Sequence, residues 1–229
     1  HPNTVGEEDF SGIDHRRVKE ISDHFTTSDA KQLSQQELDL MRDLYRANVK
    51  YLDRHLSRFL EWCRERSWYD DALIIVTADH GELFGEEGRT SHPWDGEPLD
   101  ELVEVPLFVR YPDGYAAGES RPHQVDHLGV YRTVRGIGTG QTRPGQDCLQ
   151  DIESRVTVSL SNTVKRATTP EGSIFAHRSG AKRRTGAVGQ DVERTLSDIE
   201  YPNCATHSGK VAGVEEAERN RRLRNLGYR

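Results

Sequence analysis

An α/β fold, with a mostly parallel sheet flanked by helices and a small C-terminal extension, is predicted by three features of the sequence. The first is Ala72-Leu-Ile-Ile-Val-Thr-Ala-Asp-His-Gly-Glu82, a short apolar run that stops at a carboxylate, an imidazole and a glycine. The second is a long amphipathic stripe just before it, from Met41 to Cys63, and the third is the apolar run Val105-Pro-Leu-Phe-Val-Arg110. Helix, short turn, strand is the αβ half of a crossover unit.

In chain order, residues 1–33 carry few apolar positions and an acidic patch at Glu7, Glu8 and Asp9. They read as an irregular segment with a short helix near Asp14–His24. Ser34-Gln-Gln-Glu37 has capping-box spacing. Behind it Met41, Tyr45, Val49, Leu52, Leu56, Phe59 and Cys63 recur in steps of four and three, which predicts a helix from about 35 to 66 with its apolar face along the sheet. Trp68 to Asp71 make the turn into the strand at 73–76. That strand has no polar alternation, so it is expected to be buried on both faces, as in a parallel sheet.

Ligands of open α/β sheets bind beyond the carboxyl ends of the strands, where Asp79 and His80 fall. Gly81 gives the backbone freedom to turn there and to approach a ligand closely. A hard carboxylate oxygen beside an imidazole nitrogen makes half a ligand set for a divalent cation. Taken alone, the three residues also fit a plain turn with a helix cap. The glycine- and acid-rich stretch from Glu82 to Gly96, with its single His92, reads as a loop over the end of the strand, a position from which site residues commonly come.

Leu99–Glu104 reads as a short helix or turn, and residues 105–110 as the second strand, with Pro106 near its start where no ladder donor is needed. Tyr111-Pro-Asp-Gly114 is a turn. Val125 to Ile137 is helical by spacing, stopped by Gly136, Gly138 and Gly140. Residues 156–160 and 173–177 read as antiparallel edge strands, and Arg178, Lys182, Arg183 and Arg184 as a solvated basic loop. Val214 to Leu226 reads as a charged helix. The domain division is 1–33, an irregular N-terminal segment; 34–145, the α/β core; and 146–229, an α+β extension.

The chain has 229 residues, 34% hydrophobic and 30% charged, with a mean hydropathy of −0.80. It can bury a real core, but its polarity predicts a loosely folded part. A net charge of −7 and a pI of about 5.8 argue against non-specific nucleic-acid binding. Cys63, Cys148 and Cys204 are odd in number and far apart, and fit neither a disulfide framework nor a zinc site. No apolar stretch has the length of a membrane span. The chain starts at a histidine, so it is expected to be processed, trimmed or a fragment.

A string of motifs in order resembles the sulfatase family of the alkaline phosphatase-like superfamily. Tyr45…Val49-Lys-Tyr51-Leu52-Asp53 is similar to the family's Tyr-x-x-x-Val/Ile-x-Tyr-x-Asp helix. Trp68 through Glu82 resembles its apolar strand ending in Ser/Thr-x-Asp-His/Asn-Gly-Glu. Gly85-Glu-Glu-Gly88 followed by His92 is similar to the segment that brings a Lys or His to the anion. Val105-Pro-Leu107, Val125-Asp126…Thr133…Gly136-Ile137 and Leu223-Arg-Asn-Leu-Gly-Tyr228 complete the likeness, which covers about residues 40–150 and the last few.

The resemblance implies a partial alkaline phosphatase-like sandwich and a metal-dependent sulfuric ester hydrolase acting on a small anionic ester. It implies Asp79 and His80 as ligands of a divalent cation, usually Ca2+, sometimes Mg2+ or Mn2+. It implies His92 on the sulfate oxygens or as the proton donor to the leaving oxygen. His1 resembles the His of a His-Pro-x-Tyr segment lining the same site. His at the second metal position also leans towards phosphodiesterase or phosphonate hydrolase relatives.

The family's formylglycine arises in a Cys/Ser-x-Pro-Ser-Arg string, and no such string occurs among these residues. The early acidic pair of the metal site is also absent. The expectation is therefore a C-terminal portion that alone lacks the nucleophile and half of the ligand set, inactive by itself, or a dead paralogue that only binds an anion.

Overall fold

In the computed structural model, residues 15–26, 33–121, 123–147, 149 and 156–201 are described. Helix α1, His15–Thr26, is followed by α2, Gln35–Arg64. The predicted capping box is formed: Glu37 N donates to Ser34 Oγ at 3.3 Å, and Ser34 N donates to Glu37 Oε2 at 2.8 Å. Strand β1, Ile74–Thr77, pairs with β4, Leu107–Arg110. Between them lie β2, Leu83–Phe84, β3, Thr90–Ser91, and the single turn α3, Asp100–Val103. Helix α4, His127–Gly138, follows, capped by Asp126, whose carboxylate accepts from Gly129 N at 2.7 Å.

The mixed α/β class is borne out, but the expectation of a mostly parallel sheet is not met among the described residues. Every pairing there is antiparallel, in sheets ordered β1-β4, β2-β3 and β5-β6-β7-β8. The run at 73–76 is half-buried rather than buried on both faces. An uninterrupted apolar run reports that a strand is meant to be covered; it does not report the direction of its partner.

The α2 stripe also departs from expectation. Tyr45, Val49, Leu52, Phe59 and Trp62 are exposed, and only Leu38 and Cys63 are buried on this helix. It docks on the hairpin β2–β3, where Arg42 Nη2 donates to Phe84 O at 2.7 Å and the Tyr45 ring meets Phe84 at 5.3 Å, and Arg17 of α1 pairs with its Glu37. Helix α1 covers the same hairpin with buried Ile21 and Phe25, and Thr90 Oγ1 donates to Phe25 O at 2.7 Å.

The C-terminal part is a four-stranded meander: β5, Thr157–Leu160, β6, Val164–Thr169, β7, Gly172–His177, and β8, Lys182–Gly186. Helix α5, Gln190–Asp198, closes its apolar face, burying Ala167, Ile174, Val192 and Leu196 together. Residues 173–177 therefore lie in an interior strand, not an edge one. The basic residues 182–184 are a strand rather than a loop, with Lys182 and Arg184 paired to Glu193. The expected helix at 214–226 lies outside the described residues.

This sheet holds the segment Trp94–Asp100. Asn162 N donates to Trp94 O at 2.9 Å, Gly96 N to Thr163 Oγ1 at 3.0 Å, and Ser161 Oγ to Gly96 O at 2.7 Å. The nearly buried Arg166 donates to Pro98 O at 3.0 Å and pairs with Asp100. Glu97 accepts from Arg183 Nε at 3.0 Å and lies 3.1 Å from His177 Nε2.

The Arg183 guanidinium holds the Glu97 carboxyl below the usual carboxylate range. A depressed carboxylate adds stability that is present above its unfolded value and lost as pH falls through the folded one. Acid titration should therefore loosen the 94–100 segment below the ordinary carboxylate range. Glu97→Gln should flatten that acid limb, measured by melting temperature against pH.

Candidate active site

The site gathers where β1 ends and the β2–β3 hairpin begins and ends. Leu83 pairs with Ser91 in that hairpin, so Glu82, one residue before β2, and His92, one residue after β3, stand side by side. His92 Nδ1 lies 3.3 Å from Glu82 Oε1 and 3.4 Å from Oε2. A carboxylate accepts only, so Nδ1 carries the proton and donates, which leaves Nε2 outward. Ser91, just before His92, holds a left-handed φ of 63° and is nearly buried. For a non-glycine residue this is a strained conformation of a kind that clusters at functional sites.

His80 stacks against His92, with ring centroids 4.4 Å apart at 34°. His80 Nδ1 lies 2.8 Å from Gly81 O. A carbonyl accepts only, so Nδ1 donates and Nε2 keeps its lone pair, which is how a backbone carbonyl fixes an imidazole as a metal ligand. That Nε2 is 3.8 Å from Asp79 Oδ2. One cation can span such a gap at ordinary bond lengths of about 2.0–2.6 Å. Asp79 is 89% exposed, and its carboxyl is held below the usual range first by the His80 backbone N–H, which donates to Oδ1 at 3.0 Å. It is an ionised, outward-facing oxygen donor.

Gly81 differs from its expected role. Its close approach is to the chain itself: Gly81 N donates to Leu102 O at 2.9 Å, and a Cβ there would stand 1.9 Å from Glu101 O. Gly81→Ala should force α3 away from the end of β1 and cost about 1–3 kcal/mol, read as a lower unfolding midpoint. From the other side, His127 Nε2 donates to Ala78 O at 2.9 Å, tying the start of α4 to the same turn.

The structure thus brings together Asp79, His80 and His92. His1 lies outside the described residues. Glu82 carries no role in the sequence motif, and the turn-forming stretch of ten residues between it and His92 is the sequence signal that points to their pairing. Among the described residues no group of three or more His, Cys, Asp or Glu side chains is placed to hold a metal ion.

The sulfatase family model matches residues 14–137, more than half of the chain and all of this site. The chain belongs to the sulfatase family. This sulfatase-family chain is similar to a choline-sulfatase of Rhizobium meliloti (strain 1021), 29% identical over 109 residues, covering 46% of the chain and 20% of that protein. It is also similar to an N-acetylglucosamine-6-O-sulfatase of Bacteroides thetaiotaomicron, 32% identical over 82 residues, covering 35% of the chain and 14% of that protein. The matches therefore span a fifth or less of these relatives' length. A solved structure of BT4656 in complex with its substrate D-glucosamine-2-N,6-O-disulfate aligns with 79% of this chain and 38% of its own, at 15% identity and a TM-score of 0.48.

Proposed function

We propose that this chain supplies the anion-facing histidine and half of the cation site of a sulfuric ester hydrolase. The observation that carries the reading is the stacked His80–His92 pair, each ring oriented by an acceptor on Nδ1. The donor set fits a hard divalent cation, for which Ca2+ is the proposed occupant and Mg2+ or Mn2+ the alternatives: Asp79 gives an ionised oxygen and His80 a free Nε2. A bound cation of this kind neutralises an anionic ester and the charge that develops on it.

The chain's own residues account for two tasks. Asp79 and His80 hold their donors at the end of β1, fixed by the Gly81 carbonyl and the His80 N–H. His92 presents Nε2 to the ester, and in its imidazolium form, with Nδ1–H kept on Glu82, it gives the Nε2 proton to the departing alkoxide oxygen and returns to the neutral ring. The covalent nucleophile is not assigned to this chain: Cys63 is buried on α2, and no Cys/Ser-x-Pro-Ser-Arg string is present.

A second reading within the same chemistry, a phosphodiesterase or phosphonate hydrolase, is favoured by histidine rather than asparagine at position 80. Side-by-side turnover of an aryl sulfate and an aryl phosphodiester tests the choice. Faster sulfate ester hydrolysis supports the sulfatase reading, and the reverse ratio overturns it. Sulfate binding with neither ester hydrolysed identifies an anion-binding remnant.

A further inference from the structure

The hairpin that carries His92 is too short to hold it alone. Strand β3 has two residues and, among the described residues, pairs with the two of β2 and no others. A two-stranded hairpin is marginal by itself. Ser91, just before His92, keeps a left-handed φ of 63°. A non-glycine residue stays in that region only where its surroundings over-determine it. The restraint on His92 therefore comes from outside the hairpin.

On one side it comes from α1, through Thr90 Oγ1 and Phe25 O. On the other it comes from Arg89, the residue before β3. Arg89 O accepts from Gly85 N at 2.9 Å within the hairpin turn, and Arg89 Nη2 donates to Glu97 O at 2.9 Å. The guanidinium lies so close to Gly96 that a Cβ there would stand 2.8 Å from Nη1. Arg89 thereby closes the loop 89–97, with His92 inside it.

Glu97 fastens that loop to the C-terminal sheet. Its carboxylate accepts from Nε of Arg183 on β8 at 3.0 Å and from Nη2 of the same guanidinium, and it lies 3.1 Å from Nε2 of His177 on β7. The Arg183 guanidinium is itself seated over the Phe175 ring, 4.1 Å from its centroid. A two-point guanidinium–carboxylate pair fixes orientation as well as distance. Arg183 and His177 both lie beyond residue 137, where the match to the family model ends.

We propose that Glu97 is a positioning residue for His92. Held by Arg183 and His177 and joined to β3 through Arg89, it lets the C-terminal sheet set the place of the His92 ring. What it fixes is the bond from His92 Nδ1–H to Glu82 and the stacking on His80. The consequence for turnover rests on the reading of His92 as the ester-facing acid, whereas the positioning itself does not.

The test is nuclear magnetic resonance of the full chain with isotope-labelled histidine, the His92 ring being identified by its loss in His92→Gln. The quantity read is exchange of the His92 Nδ1 proton with water. Glu97→Ala should speed that exchange by about tenfold or more, as the loss of charge-assisted bonds frees the segment to open. It should also shift the His92 and His80 ring signals together. Signals of Ala167, Ile174, Val192 and Leu196, the core under α5, should stay in place and show that the sheet is folded. Glu97→Gln, whose amide oxygen still accepts from Arg183, should recover part of the protection. If Glu97→Ala unfolds the sheet, Arg183→Lys, which keeps the charge without the two-point contact, should give the same change at smaller amplitude. Unchanged His92 exchange in a folded variant, with only a lower melting temperature, overturns the proposal. So does a wild-type His92 Nδ1 proton that exchanges as fast as that of a free imidazole. Failure of the catalytic reading shows separately, as undiminished ester turnover in His92→Ala, and does not move this readout.

Discussion

Calcium should stabilise the protein, and Asp79→Ala should abolish that stabilisation. A ligand that binds only the folded state stabilises it by RT ln(1 + [L]/Kd), about 2.7 kcal/mol at a hundredfold excess over Kd. In a domain of about this size each kcal/mol moves the melting temperature by roughly 2–4 °C. The wild-type protein should therefore melt several degrees higher in calcium than in chelator, and the variant at one temperature in both. Asp79 is the residue to change because its carboxylate is ionised, exposed and held by backbone rather than by core packing. Alanine there removes a donor without opening a cavity. An undiminished calcium shift in the variant would falsify the ligand assignment.

In a protein that carries this chain together with a nucleophile segment, His92→Ala should lower turnover of an alkyl sulfate by about 10²–10⁴-fold, the usual worth of a positioned general acid. The loss should be much smaller on a nitrophenyl sulfate, whose leaving group departs as a stable anion and needs no proton. Equal losses on both esters would show instead that His92 binds the sulfate oxygens in ground and transition states alike. Glu82→Gln should follow the same pattern at smaller amplitude, because an amide can still accept from Nδ1 but no longer stabilises a charged imidazole.

Several of these features were legible in the residues. The Ser34–Glu37 box, the 35–64 helix, the strand before Asp79 and the helix at 127–138 follow from capping chemistry and periodicity, which act within a few residues. So does the grouping of Asp79 and His80 at a strand end. The pairing of Glu82 with His92 was not drawn from the sequence, because it depends on the register of a hairpin with two residues in each strand. Strands β6 and β8 and helix α5 were missed for a related reason. Lys165-Arg166 and Lys182-Arg183-Arg184 look like solvated charge until their partners, Ile199 O, Asp100, Glu193 and Glu97, are in place.

The sequence by itself determined the family, the local elements and the carboxylate–imidazole pair Asp79–His80 just past a strand end, since each is encoded in neighbouring residues whose chemistry is short-ranged. Only the tertiary structure decided which imidazole nitrogen is free, what Gly81 makes room for, and that the C-terminal sheet grips the segment after His92. It also decided that, among the described residues, the apolar stripe of α2 stays largely exposed. Periodicity fixes which side chains share a face, but burial is a property of what lies opposite, and that is set by contacts between residues far apart in the chain.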